Sequence, residues 1–96
     1  MTREFTSTGQ HVVWKYPLSG DLTELFFAPG SIVHVGVDPR GAHCAWVLIS
    51  DPDGQPVTRR VLIRGTGDPL PEGTWAYLNT FTHGPYIFHA FVGWPA

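Results

Sequence analysis

The sequence predicts an all-β domain, either a small β-sandwich or a partly open barrel of about seven antiparallel strands. Eleven glycines and nine prolines interrupt the 96 residues so often that no long amphipathic helix fits between them. The intervening segments are rich in Val, Ile, Phe, Tyr, Trp and Thr, which favour pleated, half-buried strands. A hydrophobic content of 43% with 15% charged residues excludes a disordered chain, and the length fits one domain.

Seven segments between the breakers are predicted to be strands: residues 11–16, 22–27, 31–37, 43–50, 57–65, 75–81 and 85–93. The ten residues before them are polar apart from Phe5. We expect residues 1–10 to form a loosely ordered arm in front of a single β domain of residues 11–96.

Two turns connect the middle strands. DPRG (38–41) and DPDG (51–54) each place Asp first, Pro second and Gly fourth, which is typical of a type I turn. We therefore expect the third, fourth and fifth strands to form a meander at the centre of the fold. The loop GTGDPLPEG (65–73) is too long for a tight hairpin, and we expect it to carry the chain between sheets or around a sheet edge.

Alternation along the predicted strands assigns side chains to faces. In the third strand it groups Val33, Val35 and Val37. One face of the fifth strand is apolar apart from one arginine, with Val57, Arg59, Val61 and Ile63. The other face carries two arginines, with Thr58, Arg60, Leu62 and Arg64. Both faces of the predicted meander are largely apolar, so we expect a homo-oligomer that covers one of them.

Short motifs follow one another from residue 14 onward: WKYPL (14–18), PG (29–30), IVHVGV (32–37), CAWVLISDP (44–52), RRVLIRGTG (59–67), the loop with Pro69 and Pro71, YLNT (77–80) and FHAF (88–91). In this order and spacing the chain resembles a family of small β domains encoded mainly by tailed phages and by bacteria that carry phage-derived genes. The resemblance implies a phage or prophage β domain. It implies no particular activity, because the family has none established.

Composition limits the function classes. A formal net charge of −2 gives no basic field for non-specific nucleic-acid binding. A single cysteine, Cys44, and an N-terminus without an apolar segment predict a cytoplasmic protein, and no apolar stretch reaches the roughly 20 residues of a membrane span. The five histidines lack metal-binding spacing, and no nucleophile motif occurs. We expect no enzyme activity, no metal and no cofactor.

One candidate binding site lies where the fifth strand ends. The turn Gly65, Thr66 and Gly67 could present consecutive backbone N–H groups to an anion, with Arg60 and Arg64 beside it to bind phosphate. The alternative is that the glycines only allow the chain to turn and that both arginines lie on a solvated or ion-paired face.

Aromatic residues are the second signal. Four tryptophans, three tyrosines and six phenylalanines are many for one small core. We take Trp46, Tyr86 and Trp94 as candidates for stacking on a planar ligand, and His89 as a candidate ligand contact. The alternative is that the aromatic rings pack between sheets or subunits and that His89 is a hydrogen-bonded interior group.

Two functions remain open. The first is a phage-type binding protein that sequesters a small anionic nucleotide-like ligand at a subunit boundary, and so acts as a non-catalytic sponge for an immune signal. The second is a phage interaction protein that docks on a host enzyme or another phage protein through an apolar sheet face.

Overall fold

The computed structural model describes residues 4–95 and contains seven antiparallel strands in two sheets. The strands are β1 (Val12–Pro17), β2 (Leu22–Phe27), β3 (Gly30–Val37), β4 (His43–Ile49), β5 (Val57–Gly65), β6 (Trp75–His83) and β7 (Tyr86–Gly93). The three-stranded sheet has the order β1-β4-β3, and the four-stranded sheet has the order β2-β5-β7-β6. The all-β prediction is confirmed, as a sandwich rather than a closed barrel. No helix within residues 4–95 is long and apolar enough to cross a membrane.

The N-terminal arm is only partly described. Its first three residues lie outside the described part of the chain, and residues 4–10 are exposed and contain no strand. The loose order that we expect for residues 1–10 stays a prediction.

The predicted meander of β3, β4 and β5 is wrong. β3 and β4 pair, and the Gly41 N–H donates to the Asp38 carbonyl at 2.9 Å to close their turn. The DPDG turn also closes, with a bond of 3.0 Å from the Gly54 N–H to the Asp51 carbonyl. After this turn the chain enters the other sheet, where β5 pairs with β2 and β7. Loop 65–73 joins β5 to the edge strand β6 within one sheet, so of its two expected paths the one between sheets is wrong.

The core lies between the inward faces of the two sheets. Its buried members come from six of the strands and are Leu25, Phe27, Ile32, Val35, Ala45, Val47, Ile49, Val61, Ile63, Phe81 and Ala90. From β1, Tyr16 packs on this core, with its ring centroid 5.9 Å from that of Phe27. Burial of a side chain the size of Val or Leu stabilises the fold by about 1.5–3 kcal/mol, so this interface dominates stability.

Two register irregularities change which side chains face inward. β3 shifts between Ile32 and His34, so Ile32 and Val35 both join the core and the regular alternation expected for β3 is wrong. β6 shifts between Tyr77 and Asn79, which turns two successive residues, Leu78 and Asn79, toward the interior. Such bulges insert one residue and redirect the side chains that follow.

Asn79 uses its inward position to join the two sheets. Its Oδ1 accepts a hydrogen bond of 2.9 Å from the Val35 N–H, and its Nδ2 donates one of 2.8 Å to the Val35 carbonyl. β3 and β6 are edge strands of different sheets. The side-chain amide therefore satisfies backbone groups that an edge strand otherwise leaves unpaired.

Asp38 organises the β3–β4 turn. Its Oδ1 accepts the backbone N–H groups of Arg40 and Ala42, both at 2.9 Å, and its Oδ2 lies 3.0 Å from the Lys15 Nζ. The bond from the Ala42 N–H and the bond from Lys15 lower the pKa of Asp38 to about 2. The ion pair with Lys15 also ties β1 to this end of the hairpin.

Replacement of Asn79 tests the link between the sheets. In Asn79→Ala, the N–H and carbonyl of Val35 lose their partners in a half-buried position, so the free energy of unfolding should fall by about 1–3 kcal/mol. Urea denaturation measures the change. Thr82→Ala, at an exposed position on the same strand, serves as the matched control and should stay close to wild type. Equal stabilities for the two variants would show that the link contributes nothing.

Candidate functional site

The sandwich opens at one end into a cleft of 280 Å³. Its lining includes three aromatic residues and one cation among small and apolar residues: Phe27, Gly30, Ser31, Ile32, Arg59, Ala76, Tyr77, Leu78, Val92 and Trp94. β3 contributes residues 30–32 and β6 contributes residues 76–78 to the lining. These residues precede Val35 and Asn79, so the cleft lies beside the hydrogen bonds by which Asn79 joins the two strands. Its volume is near the lower limit of about 300 Å³ for small-molecule sites.

Arg59 is the cation of the cleft. Alternation along β5 places it on the inward face with buried Val61 and Ile63, at the end of the strand where the core gives way to the opening. Its Nη1 donates to the Thr58 carbonyl at 2.8 Å, and its guanidinium carbon lies 5.6 Å from the centroid of the Trp94 ring. Among the described residues Arg59 forms no ion pair, and no carboxylate lines the cleft. A guanidinium in this setting favours an anion.

Arg60, on the opposite face of β5, fixes the chain that follows β7. Its Nη2 donates to the Trp94 carbonyl at 3.0 Å, and its guanidinium carbon lies 5.0 Å from the centroid of the Trp75 ring. The Trp75 ring packs against Gly93, where a Cβ atom would come within 2.6 Å of it, so this close approach requires glycine. Consecutive arginines thus contact Trp94 from the two faces of one strand, Arg59 at the ring and Arg60 at the carbonyl.

The GTG turn and Arg64 lie at the other end of β5. The Asp68 N–H donates to the Gly65 carbonyl at 3.1 Å, and Gly67 has a φ of +91°, which glycine adopts without strain. Arg64 donates from Nε to the Pro69 carbonyl at 3.1 Å and lies 3.7 Å from an Asp21 carboxylate oxygen. A second surface pocket lies here, and the carboxylates of Asp21 and Asp68 line it together with Arg64. Arg64 and Arg60 share a face of β5 by alternation but bind different partners.

His89 joins the turn to β6 through a chain of hydroxyl groups. Its Nε2 lies 2.8 Å from the Thr66 Oγ1, and its Nδ1 lies 2.8 Å from the Thr80 Oγ1. The Thr80 Oγ1 is also 2.7 Å from the Tyr77 Oη. Since hydroxyls can both donate and accept, each ring nitrogen of His89 has a hydrogen-bond partner. This arrangement matches the hydrogen-bonded alternative for His89.

The comparisons with known proteins give one positive result. A family model described as a domain of unknown function (DUF7352) matches residues 10–96, which include all seven strands and the cleft. The chain belongs to this family. No curated protein and no solved structure showed a significant match.

In this DUF7352 domain the remaining stacking candidates lie apart from the cleft. Trp46 is on β4, where it pairs with Lys15 of β1 and His34 of β3. Its ring centroid lies 5.8 Å from that of His34. Tyr86 begins β7 opposite His83 and is exposed. Of the predicted aromatic candidates, only Trp94 lines the cleft. Arg59 is not among the site residues predicted from the sequence, although it is the only charge on an otherwise apolar strand face.

The DUF7352 domain also contains a histidine pair that spacing along the chain does not reveal. His43 begins β4 and His83 ends β6, and the two sheets bring His43 Nε2 within 2.9 Å of His83 Nδ1. The His43 ring packs edge-on against the rings of Phe81 and Phe88, with a distance of 5.3 Å between ring centroids in each pair. Burial, followed by the charge of His83, lowers the pKa of His43. On the opposite face of β4, burial and then the charge of Asp38 raise the pKa of the Cys44 thiol, which keeps it in the unreactive neutral form.

The histidine pair predicts how stability depends on pH. Because the folded state lowers the pKa of His43 below its value of about 6.5 in the unfolded chain, the unfolded state binds more protons at mildly acidic pH. Stability should therefore fall as pH decreases below about 6.5. Urea midpoints of wild type and His43→Phe at a series of pH values should show a shallower decrease for the variant. Parallel curves would rule out His43 as a source of the dependence.

Proposed function

We propose that this DUF7352 domain is a non-catalytic binding module that sequesters a small anionic, nucleotide-like ligand in the cleft of Arg59 and Trp94. In this proposal the protein is phage-encoded, acts in the host cytoplasm and lowers the free concentration of an immune signal. The observation that carries the proposal is a guanidinium that has no counter-ion among residues 4–95 and lies beside an indole ring at the mouth of an apolar cleft.

The lining supplies both kinds of contact that a nucleotide uses. The Trp94 ring offers a face for a base, and stacking of this kind is worth about 1–3 kcal/mol per base. Arg59 can donate two parallel hydrogen bonds to one phosphate, which are stronger than bonds between neutral groups. Besides Arg59, Trp94 and Tyr77, the only residue of the described lining with a polar side chain is Ser31. This chemistry favours capture of a ligand over its conversion.

Charge favours the cleft over the GTG turn. At the turn, Arg64 shares its surroundings with the carboxylates of Asp21 and Asp68, which oppose a second anion there. No carboxylate competes with a ligand among the described residues of the cleft. Arg60 contributes to the proposed site indirectly, because it binds the carbonyl of Trp94.

Titrations of arginine variants test the site. A thermal-shift screen against linear and cyclic nucleotides first identifies a ligand that raises the melting temperature. Calorimetry with that nucleotide should show Arg59→Ala binding about 10- to 150-fold more weakly, since a charge-assisted bond is worth about 1.5–3 kcal/mol. Arg60→Ala should lose less affinity than Arg59→Ala, because it affects the ligand only by displacing Trp94. Arg64→Ala is the matched control and should bind like wild type.

Circular dichroism must confirm that each variant is folded. A folded Arg59→Ala that binds as tightly as wild type would exclude the cleft. A loss confined to Arg64→Ala would instead place the ligand at the turn of Gly65, Thr66 and Gly67.

Failure of every nucleotide to bind would favour the second function, docking on a host or phage protein. The observation behind it is the outer face of the four-stranded sheet, where large apolar side chains are exposed: Leu22, Phe26, Tyr77 and Ile87.

A further inference from the structure

β1 has one edge that no strand within residues 4–95 pairs with. It lies at the end of the three-stranded sheet, and among these described residues it pairs only with β4. The Leu18 N–H donates to the His43 carbonyl at 3.0 Å, one step beyond the last pair of the ladder. Alternation then directs the N–H and carbonyl groups of Val13 and Lys15 away from β4, to the open edge. Pro17, which has no N–H, occupies the same phase, so β4 loses no bond to it.

The side chains of this edge are as exposed as its backbone. Val13 is 54% exposed and Trp14 is 57% exposed, and they lie on opposite faces of the strand. Edge strands normally carry charges, bulges or a covering segment that prevent further pairing. β1 has one charge, Lys15, and that charge is paired with Asp38 at 3.0 Å. The other edge of this sheet, β3, is covered by Asn79 of β6.

We propose that β1 pairs with β1 of a second copy of this chain, antiparallel across a two-fold axis at Trp14. The edge of an antiparallel strand is complementary to itself. With the axis at Trp14, the outward N–H and carbonyl groups of Val13 face those of Lys15 in the second copy, and those of Lys15 face Val13 of the second copy. This register forms four backbone hydrogen bonds from the groups that β4 leaves free. It also brings the two exposed Trp14 side chains together as a non-hydrogen-bonded pair, where side chains are closest.

The dimer is independent of the proposed ligand site. It joins two three-stranded sheets into one continuous sheet of six strands, with β1 of each copy at the centre. No residue of β1 lines the cleft. Each copy keeps its own site away from the axis, in contrast to the shared site at a subunit boundary that the sequence suggests. Loss of the dimer therefore need not change ligand affinity.

A proline substitution isolates the pairing. In Val13→Pro the missing N–H is one that points to the open edge, so β1 keeps its bonds to β4 and loses those to a second copy. Light scattering after size exclusion at micromolar concentration should give twice the chain mass of 10.6 kDa for wild type and a single mass for the variant. Phe26→Glu, which removes an equally exposed ring from the other sheet, should remain dimeric.

A cysteine introduced in β1 gives a second test of the dimer, and this test does not depend on weakening the strand pairing. In Trp14→Cys, the two Cα atoms would be about 4.5 Å apart, within the range that a disulfide spans. Oxidised glutathione should therefore convert this variant to a covalent dimer, while Phe26→Cys, also with Cys44 buried, should stay monomeric on a denaturing gel. A wild-type mass of one chain, a folded Val13→Pro dimer, or cross-linking of Phe26→Cys alone would each overturn the proposal.

Discussion

The side-chain amide of Asn79 sets the relation between the two sheets. Its two bonds to Val35 substitute for one pair of a β-ladder between edge strands that belong to different sheets. A bulge in β6 turns Asn79 inward, and an irregularity in β3 brings Val35 into the core. The residues of β3 and β6 that line the cleft come just before this link in the sequence. Asn79 therefore holds the two edge strands together at one point and limits the cleft to the part of the strands that precedes it.

The candidate site depends on the next constraint, the alternation of side chains along β5. Two consecutive arginines must lie on opposite faces, and here one reaches the ring of Trp94 while the other reaches its carbonyl. Gly93 allows Trp75 to pack closely beside Arg60, which steadies the chain at the point where it leaves β7. The same alternation sends Arg64 to Asp21, away from the cleft. Arginines close together in sequence therefore acquire separate roles.

Local patterns predicted the strands well and the pairing of strands poorly. The bounds of β2 and β5 agree with the prediction, and the other strands differ by one or two residues at their ends, because breakers and strand-forming residues are local signals. The DPDG turn forms as expected, but a turn does not specify which sheet receives the next strand. Alternation correctly placed Arg59 beside Val61 and Ile63. Its contact with Trp94, like that between His43 and His83, depends on how the sheets pack, which no local pattern encodes.

Binding in the cleft is tested most directly by the two-dimensional ¹H–¹⁵N spectrum of the labelled protein, with and without the nucleotide that raises its melting temperature. The cleft site predicts that the Trp94 indole N–H and the Arg59 Nε–H resonances shift on titration, while the indole of Trp46 on the other sheet and the amide of Gly67 stay in place. Shifts at Gly65 and Gly67 without a change at Trp94 would contradict it.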